Sequence, residues 1–228
     1  MSVNSVSQDN FESAKDKVLM GSERRSMVLS DEEKKNTAYH EAGHALVARM
    51  LPGTDPVHKV TIIPRGMALG LTQQLPEEDR HSYNRTYLSN TLAILYGGRV
   101  AEELVLKEIT TGAGNDIERA TQLAQKMICE WGMSDALGPV MLKKPSDEPF
   151  LGMDLHHQRE YSEDTARQVD MEVKALLTGA YRRAEAILTA NIDTLHRMAG
   201  ALLERETLDS GELDEILAST GASLPAGA

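Results

Sequence analysis

Apolar residues recur along this chain mostly at helical spacing, with two short stretches that break the period. After the polar residues 1–10, Phe11 to Leu19 fits a short helix that Gly21-Ser22 ends. Ser30 followed by Glu33 reads as a capping box, each residue satisfying the other's free backbone N–H. It opens a helix that runs to about Met50, where Pro52-Gly53 stops it. Val57 to Ile63 and Met67 to Leu75 are β-like runs, and Pro64-Arg65-Gly66 between them is the clearest hairpin signal. Ser82 to Leu106 returns to helical spacing, with a soft point at Gly97-Gly98. The loop Thr110-Thr111-Gly112-Ala113-Gly114 leads into another helix, where Ile117, Ala120, Leu123, Ala124, Met127, Ile128 and Trp131 keep a 3.6-residue period until Gly132.

Residues 133–161 read as loop with a short strand. After Ser162 a long helix carries Ala166, Val169, Val173, Leu176, Leu177, Ala180, Ala184, Ile187 and Leu188. A second helix uses Leu195, Met198, Ala199, Leu202 and Leu203, and a short one lies around Leu213 to Leu217. The tail from 219 to 228 reads as disordered. No internal repeat is present. The expected fold class is mainly α (α+β): a helical domain with a small β-sheet or hairpin and a C-terminal helical hairpin.

Composition narrows the function classes. The chain has 228 residues, enough to bury a sizeable core without staples. Its single cysteine, Cys129, excludes a disulfide framework and a Cys-based structural zinc site, and fits a reducing compartment. A formal charge of −11, with no Lys/Arg block, argues against nucleic acid as a partner. The longest uncharged run, between Arg85 and Arg99, falls short of the roughly 20 apolar residues of a membrane-spanning helix. The N-terminus lacks the basic start and apolar stretch of a signal peptide. The chain itself is therefore expected to be soluble and cytoplasmic.

Chemistry concentrates in Thr37-Ala38-Tyr39-His40-Glu41-Ala42-Gly43-His44-Ala45, a His-Glu-x-x-His run inside a predicted helix. Spacing i, i+4 stacks the His40 and His44 imidazoles on one face, where both can reach one Zn²⁺ at about 2.0–2.1 Å. Glu41 hangs beside that position and can meet an activated water, the arrangement of metal-assisted hydrolysis. Two histidines that merely pack or face solvent are the bland alternative. Gly43 weighs against it, because a mid-helix glycine costs about 1 kcal/mol relative to alanine and points to another element packed close by. Ala38, Ala42, Ala45, Leu46 and Met50 bury the same side.

A catalytic zinc site needs a third protein ligand. Val47 and Met50 stand where a metzincin would have Gly and His, so that class is excluded. His58, His81, Glu102, Glu103, Asp116, His156, His157 and His196 are the other candidates. His156, His157 and His196 read as surface residues, His58 as part of a strand, and His81 as part of a charged turn. Asp116 begins a helix after a glycine-rich loop, on a face continued by Ala120, Leu123 and Met127. An ordinary first-turn carboxylate, favoured there by about 0.3–1 kcal/mol of helix dipole, explains it equally simply. Glu102, beside Val100, Ala101 and Leu104, is the main rival. Spacing alone leaves the pair open and leans slightly to Asp116.

Several long stretches are similar to one family. FESAKDKVLMG-x-ERRSMV, TAYHEAGHALV, DPVHKVTIIPRGMALG, LYGGRVAEELV, TTGAGNDIERAT, EWGMSDALGPV, DTARQVDMEVKALL and the closing ETLD together resemble the zinc peptidase domain of the FtsH family of membrane-anchored, ATP-dependent proteases. The likeness runs from about Phe11 to Leu217. It implies zinc ligands at His40, His44 and Asp116 and a general base at Glu41. It further implies that an edge strand around Gly66, Met67, Ala68, Leu69, Gly70, Leu71 and Thr72 pairs with extended substrate, a main-chain mode that tolerates many side chains. Family members often carry an aromatic soon after the position of Gly70, whereas Leu71-Thr72-Gln73 stands here.

By the same resemblance, residues 1–28 correspond to the end of an ATPase lid and its linker, and 29–218 to the metallopeptidase domain. The chain contains neither a G-x-x-x-x-G-K-[ST] phosphate loop nor a spanning segment. It is expected to be the peptidase portion of a larger machine, a homo-hexamer with an ATPase module, tethered to the inner or plasma membrane with the peptidase on the cytoplasmic side. The expected activity is endoproteolysis of unfolded or membrane-extracted polypeptide in protein quality control, with Zn²⁺ as cofactor. The alternative is a noncatalytic ring-assembly module with structural zinc, using the long helices near the C-terminus as its interface.

Overall fold

The computed structural model describes residues 6–24, 27, 29–66, 68–76, 79–142 and 161–223. Met67, the stretch holding His156 and His157, and the last five residues of the tail lie outside them. Seven helices and three strands are described: α1 Gln8–Met20, α2 Asp31–Met50, β1 Val57–Thr61, β2 Leu71–Gln74, α3 Arg85–Ala101, α4 Gly114–Cys129, α5 Glu163–Ala190, α6 Ile192–Arg205, β3 Thr207–Asp209 and α7 Ser210–Thr220. The mainly α, α+β class read from periodicity is the one observed.

α2 is the axis of the core. Its start is fixed locally, because Ser30 Oγ accepts from the Glu33 N–H and the Glu33 carboxylate accepts from the Ser30 N–H. Asp31, Glu32 and Glu33 in the first turn add favourable charge at the positive end of the helix. Further along, Ala38, Ala42, Ala45, Leu46 and Val47 are fully buried. The alanines among them let neighbours come close, and α3, α6 and the sheet all pack against this one helix. The apolar stripes of the C-terminal helices are buried within the chain, α5 against α3 and α4, α6 against α2.

Gly97-Gly98 do not soften α3, which runs through them unbroken. They are points of close approach. A Cβ on Gly43 would lie 2.3 Å from the Gly97 carbonyl oxygen and 2.7 Å from Ala101 Cβ, and a Cβ on Gly97 would lie 2.7 Å from the Gly43 oxygen. Replacing Gly43 by alanine gains about 1 kcal/mol of helix propensity, but forces a methyl against backbone that has nowhere to go. Overpacking costs typically 1–3 kcal/mol and occasionally more, and a 2.3 Å contact with backbone belongs at the top of that range, so the clash wins by about 2 kcal/mol. Gly43→Ala is expected to lower the thermal midpoint by about 4 °C or more, at roughly 2–4 °C per kcal/mol for a chain of this size. A midpoint equal to or above that of the unsubstituted protein would mean the crossing has room to spare.

The sheet is antiparallel with order β2-β1-β3, so β2 lies at one edge. The expected three-residue hairpin is longer than foreseen. β1 stops at Thr61 and β2 starts only at Leu71, and the loop between them carries its own bridge between Arg65 and Ala68. A bulge between Val57 and Lys59 turns His58 away from the core, where its Nε2 lies 3.0 Å from Lys15 Nζ of α1. α1 is further held by the Lys59–Asp16 ion pair at 2.5 Å and, just beyond its end, by Arg65 to Glu23 at 2.7 Å.

Two features differ from expectation nearer the C-terminus. β3, only three residues long, is too short for sequence periodicity to reveal and exists because β1 offers it a partner. α7 extends to Thr220, and Ser223 exchanges two 2.9 Å hydrogen bonds with the Asn191 side chain, so the chain stays tied down four residues past the expected start of the tail.

Candidate metal centre

α2 presents His40 and His44 one turn apart, with ring centroids 4.6 Å from each other. The N-terminal turn of α4, entered through a 3₁₀ turn at Thr111–Ala113, brings Asp116 to them. His40 Nε2 and His44 Nε2 lie 3.0 Å apart, and Asp116 Oδ2 is 3.2 Å from each. Among the described residues this is the one group of three such side chains whose donor atoms all fall within 4.8 Å of one another.

The backs of both imidazoles are fixed. His44 Nδ1 donates to the Ile94 carbonyl oxygen at 2.7 Å, and His40 Nδ1 donates to Glu102 Oε1 at 2.6 Å. A carbonyl can only accept and a carboxylate accepts here too, so the protons are assigned to Nδ1 and the Nε2 lone pairs face each other. Two lone pairs and a carboxylate oxygen thus converge with no proton donor between them. Such a cluster is repulsive unless a cation sits at its centre. Four-coordinate zinc, with bonds of about 2.0–2.1 Å, spaces neighbouring donors about 3.3–3.4 Å apart, close to the triangle observed. The donor set fits a divalent metal.

Electrostatics agree. With no metal bound, a proton takes the cation's place on His40: burial pushes the ring toward the neutral form, yet its bonds to Asp116 and Glu102 and the charge of Glu41 more than reverse this and raise it to about 10. Burial raises Asp116 as well, but its contacts with the His40 and His44 rings outweigh it and leave its carboxyl well below the usual range. Carboxylates able to hold a proton on a buried imidazole equally favour a metal cation in its place.

Three residues of α3 and its extension, each four apart, build the wall behind the imidazoles. Ile94 supplies the carbonyl for His44. Gly98 supplies space: a methyl there would lie 2.5–2.7 Å from Cε1, Nδ1 and Nε2 of His40. Glu102, almost fully buried, meets His40 and accepts a second bond from the Thr110 hydroxyl at 2.9 Å. Glu102 begins a π-helical turn, Glu102–Leu106, a rare geometry that recurs at functional sites. There it faces the imidazole, while its neighbour Glu103 turns out to accept from the Tyr181 hydroxyl at 2.6 Å. Burial raises Glu102, but the bonds from His40 and Thr110 lower it overall, so it stands as an anion. It lies on the Nδ1 side of His40, away from the triangle of Nε2, Nε2 and Oδ2. The i, i+4 relation of Gly98 and Glu102 was the available signal.

Glu41 is buried and faces β2. Burial raises its carboxyl, opposed by the charges of His44 and His40 and by a 2.7 Å bond from the Thr72 hydroxyl to Oε2. A carboxylate raised by burial is a better proton acceptor. Of the expected substrate strand, Leu71 and Thr72 lie in β2, while Gly66, Ala68, Leu69 and Gly70 belong to the loop before it. Gly70 abuts Glu41 itself, since a Cβ there would lie 2.8 Å from its Cγ and Oε1. The other described histidines stay apart: His58 meets Lys15, His196 pairs with the Tyr39 hydroxyl at 2.9 Å, and His81 is exposed.

Comparison with known proteins adds an independent line. The family model described as peptidase family M41 matches residues 27–216. Curated relatives include the ATP-dependent zinc metalloprotease FtsH of Acidobacterium capsulatum, 57% identical over 96% of this chain and 34% of its own length. Those of Magnetococcus marinus and Pelodictyon phaeoclathratiforme are 57% and 54% identical, over 95% of this chain and 32% and 33% of their own lengths. The chain therefore spans about one third of the curated relatives it matches. Among the described residues no helix is long and apolar enough to cross a membrane.

Proposed function

The chain belongs to peptidase family M41, and from that membership we propose that it is a zinc endopeptidase domain cleaving unfolded or membrane-extracted polypeptide. In this reading His40, His44 and Asp116 hold the metal and Glu41 handles the proton. The observation that carries it is the convergence of Nε2, Nε2 and Oδ2 at 3.0–3.2 Å beside a buried carboxylate.

His40 and His44 as neutral imidazoles and Asp116 as a carboxylate would hold zinc with about one net positive charge remaining, which would polarise a scissile carbonyl and acidify water. Glu41 accepts a proton from the attacking water as its oxygen adds to the carbonyl carbon. It then returns that proton to the departing amide nitrogen as the C–N bond breaks, so the carboxylate is regenerated. The free edge of β2 and the loop from Gly66 through Gly70 would hold the peptide extended through main-chain hydrogen bonds. Met67 belongs to that stretch by sequence. Glu102 and the Ile94 carbonyl keep both imidazoles in the tautomer that leaves Nε2 free.

The relatives are about three times longer and are named ATP-dependent. We extend the proposal accordingly: in the longer protein this domain forms a homo-hexamer, receives polypeptide from an ATPase module, and works on the cytoplasmic side of the inner or plasma membrane in protein quality control. Without the motor the domain cleaves flexible peptides and leaves stably folded proteins intact.

The test pairs metal analysis with a quenched-peptide assay. About one zinc per chain, cleavage abolished by a chelator and restored by added zinc are expected. One tightly held zinc with no cleavage of any flexible peptide would instead indicate a structural metal in a noncatalytic module.

A further inference from the structure

Thr72 stands out because its backbone and its side chain serve different parts of the site. The backbone lies in β2, the edge strand. The hydroxyl leaves the sheet toward α2 and reaches Glu41 twice, at 2.7 Å from Oε2 and 3.1 Å from the main-chain oxygen. A threonine hydroxyl carries one proton, and the shorter contact assigns it to the carboxylate. On the other side of the same carboxylate, the bare backbone of Gly70 lies against Cγ and Oε1, where any side chain would collide. Glu41 is thereby clamped between two residues of one segment, a hydroxyl on Oε2 and a glycine face against Oε1.

We propose that Thr72 is the positioning residue for the proton acceptor: its hydroxyl engages Oε2, leaves Oε1 as the oxygen that takes the proton, and ties the carboxylate to the strand that holds the peptide. This rests on the reading of Glu41 as the proton acceptor. Its consequence is geometric. A peptide paired with β2 is placed relative to the base through a single side-chain hydrogen bond, so strand and carboxylate move as one unit. Reaction geometry of this kind is sensitive to displacements of about 1 Å, which can cost about 10²-fold.

Thr72→Val keeps the β-branched shape and removes only the hydroxyl. A hydrogen bond to a charged group is worth enough to predict a kcat loss of about 10- to 100-fold. KM should stay within about two-fold, because the backbone edge that pairs with the peptide is unchanged. Thr72→Ser, which keeps the hydroxyl and drops the methyl, should recover kcat to within about three-fold. Zinc content should be the same in all three proteins. Binding gives a readout independent of turnover: a fluorescent peptide should bind Glu41→Gln and the Glu41→Gln/Thr72→Val double variant with the same Kd within about two-fold.

Thr72→Val with an unchanged kcat overturns the proposal, as does a zinc-loaded Thr72→Ser as slow as Thr72→Val. A large loss of peptide binding in the double variant also overturns it, because Thr72 would then be a substrate contact. Should Thr72→Val not fold, Thr72→Ala, which also lacks the hydroxyl, takes its place in each comparison. These failures are distinct from failure of the base reading, which shows as full activity of Glu41→Gln alone.

Discussion

Glu41→Gln is expected to bind about one zinc per chain, fold normally and cleave a quenched peptide about 10²- to 10⁴-fold more slowly, the range that positioned proton transfer contributes. The change is close to isosteric. Glutamine still offers an oxygen to the Thr72 hydroxyl and still fits beside the Gly70 backbone, so the contacts that hold residue 41 survive. What it lacks is a site for a proton. Because burial disfavours the charged carboxylate, replacing it with a neutral amide should leave stability equal or slightly raised. A thermal midpoint at or above the parent value, together with lost turnover, separates a chemical role from a structural one. Cleavage at the parent rate by a metal-loaded, chelator-sensitive Glu41→Gln would place the proton acceptor elsewhere.

How much of this could be read from residues alone depends on how local the cause is. The capping box and the two imidazoles lie within one helix, where spacing fixes geometry, and Ser30–Glu33 and His40–His44 behave as spacing requires. Asp116 lies 76 positions from His40 and arrives through a loop, a 3₁₀ turn and a helix start, so no period connects them. Spacing favours it only slightly over Glu102, and what brings it forward is resemblance to a family. Glu102 falls one turn after Gly98 on the side of α3 that meets His40, as its apolar neighbours suggest; that it meets Nδ1 rather than Nε2 depends on how the ring on α2 is turned, which no spacing within α3 encodes. Gly97-Gly98 misled in the same way that Gly43 informed. A helix-interior glycine signals either weakness or close approach, and only the partner helix distinguishes the two. Thr72 carried no signal at all, since a threonine in a strand is ordinary and its bond to Glu41 is made across elements.

Asp116→Asn and Glu102→Gln should separate in zinc affinity, and the order decides which carboxylate is a ligand. Asp116 Oδ2 faces both Nε2 atoms at 3.2 Å, so the substitution removes the one anionic donor aimed at the centre. Asparagine offers a neutral oxygen of weaker pull and an amide N–H₂ that repels a cation if it turns inward. Glu102 meets His40 from the opposite side, at Nδ1, and is held there by the Thr110 hydroxyl. Glutamine at 102 can still accept the Nδ1 proton, so the ring keeps its orientation while losing the partner charge that strengthens it as a donor. Loss of such an outer partner costs about 10- to 100-fold in affinity. Asp116→Asn should exceed that and leave the protein substoichiometric in zinc after dialysis, whereas Glu102→Gln stays near one zinc per chain with a measurably weaker Kd. Competition titration against a chromophoric chelator measures both. If Glu102→Gln empties the site and Asp116→Asn does not, the third ligand moves to Glu102, and Asp116 becomes an ordinary first-turn carboxylate of α4.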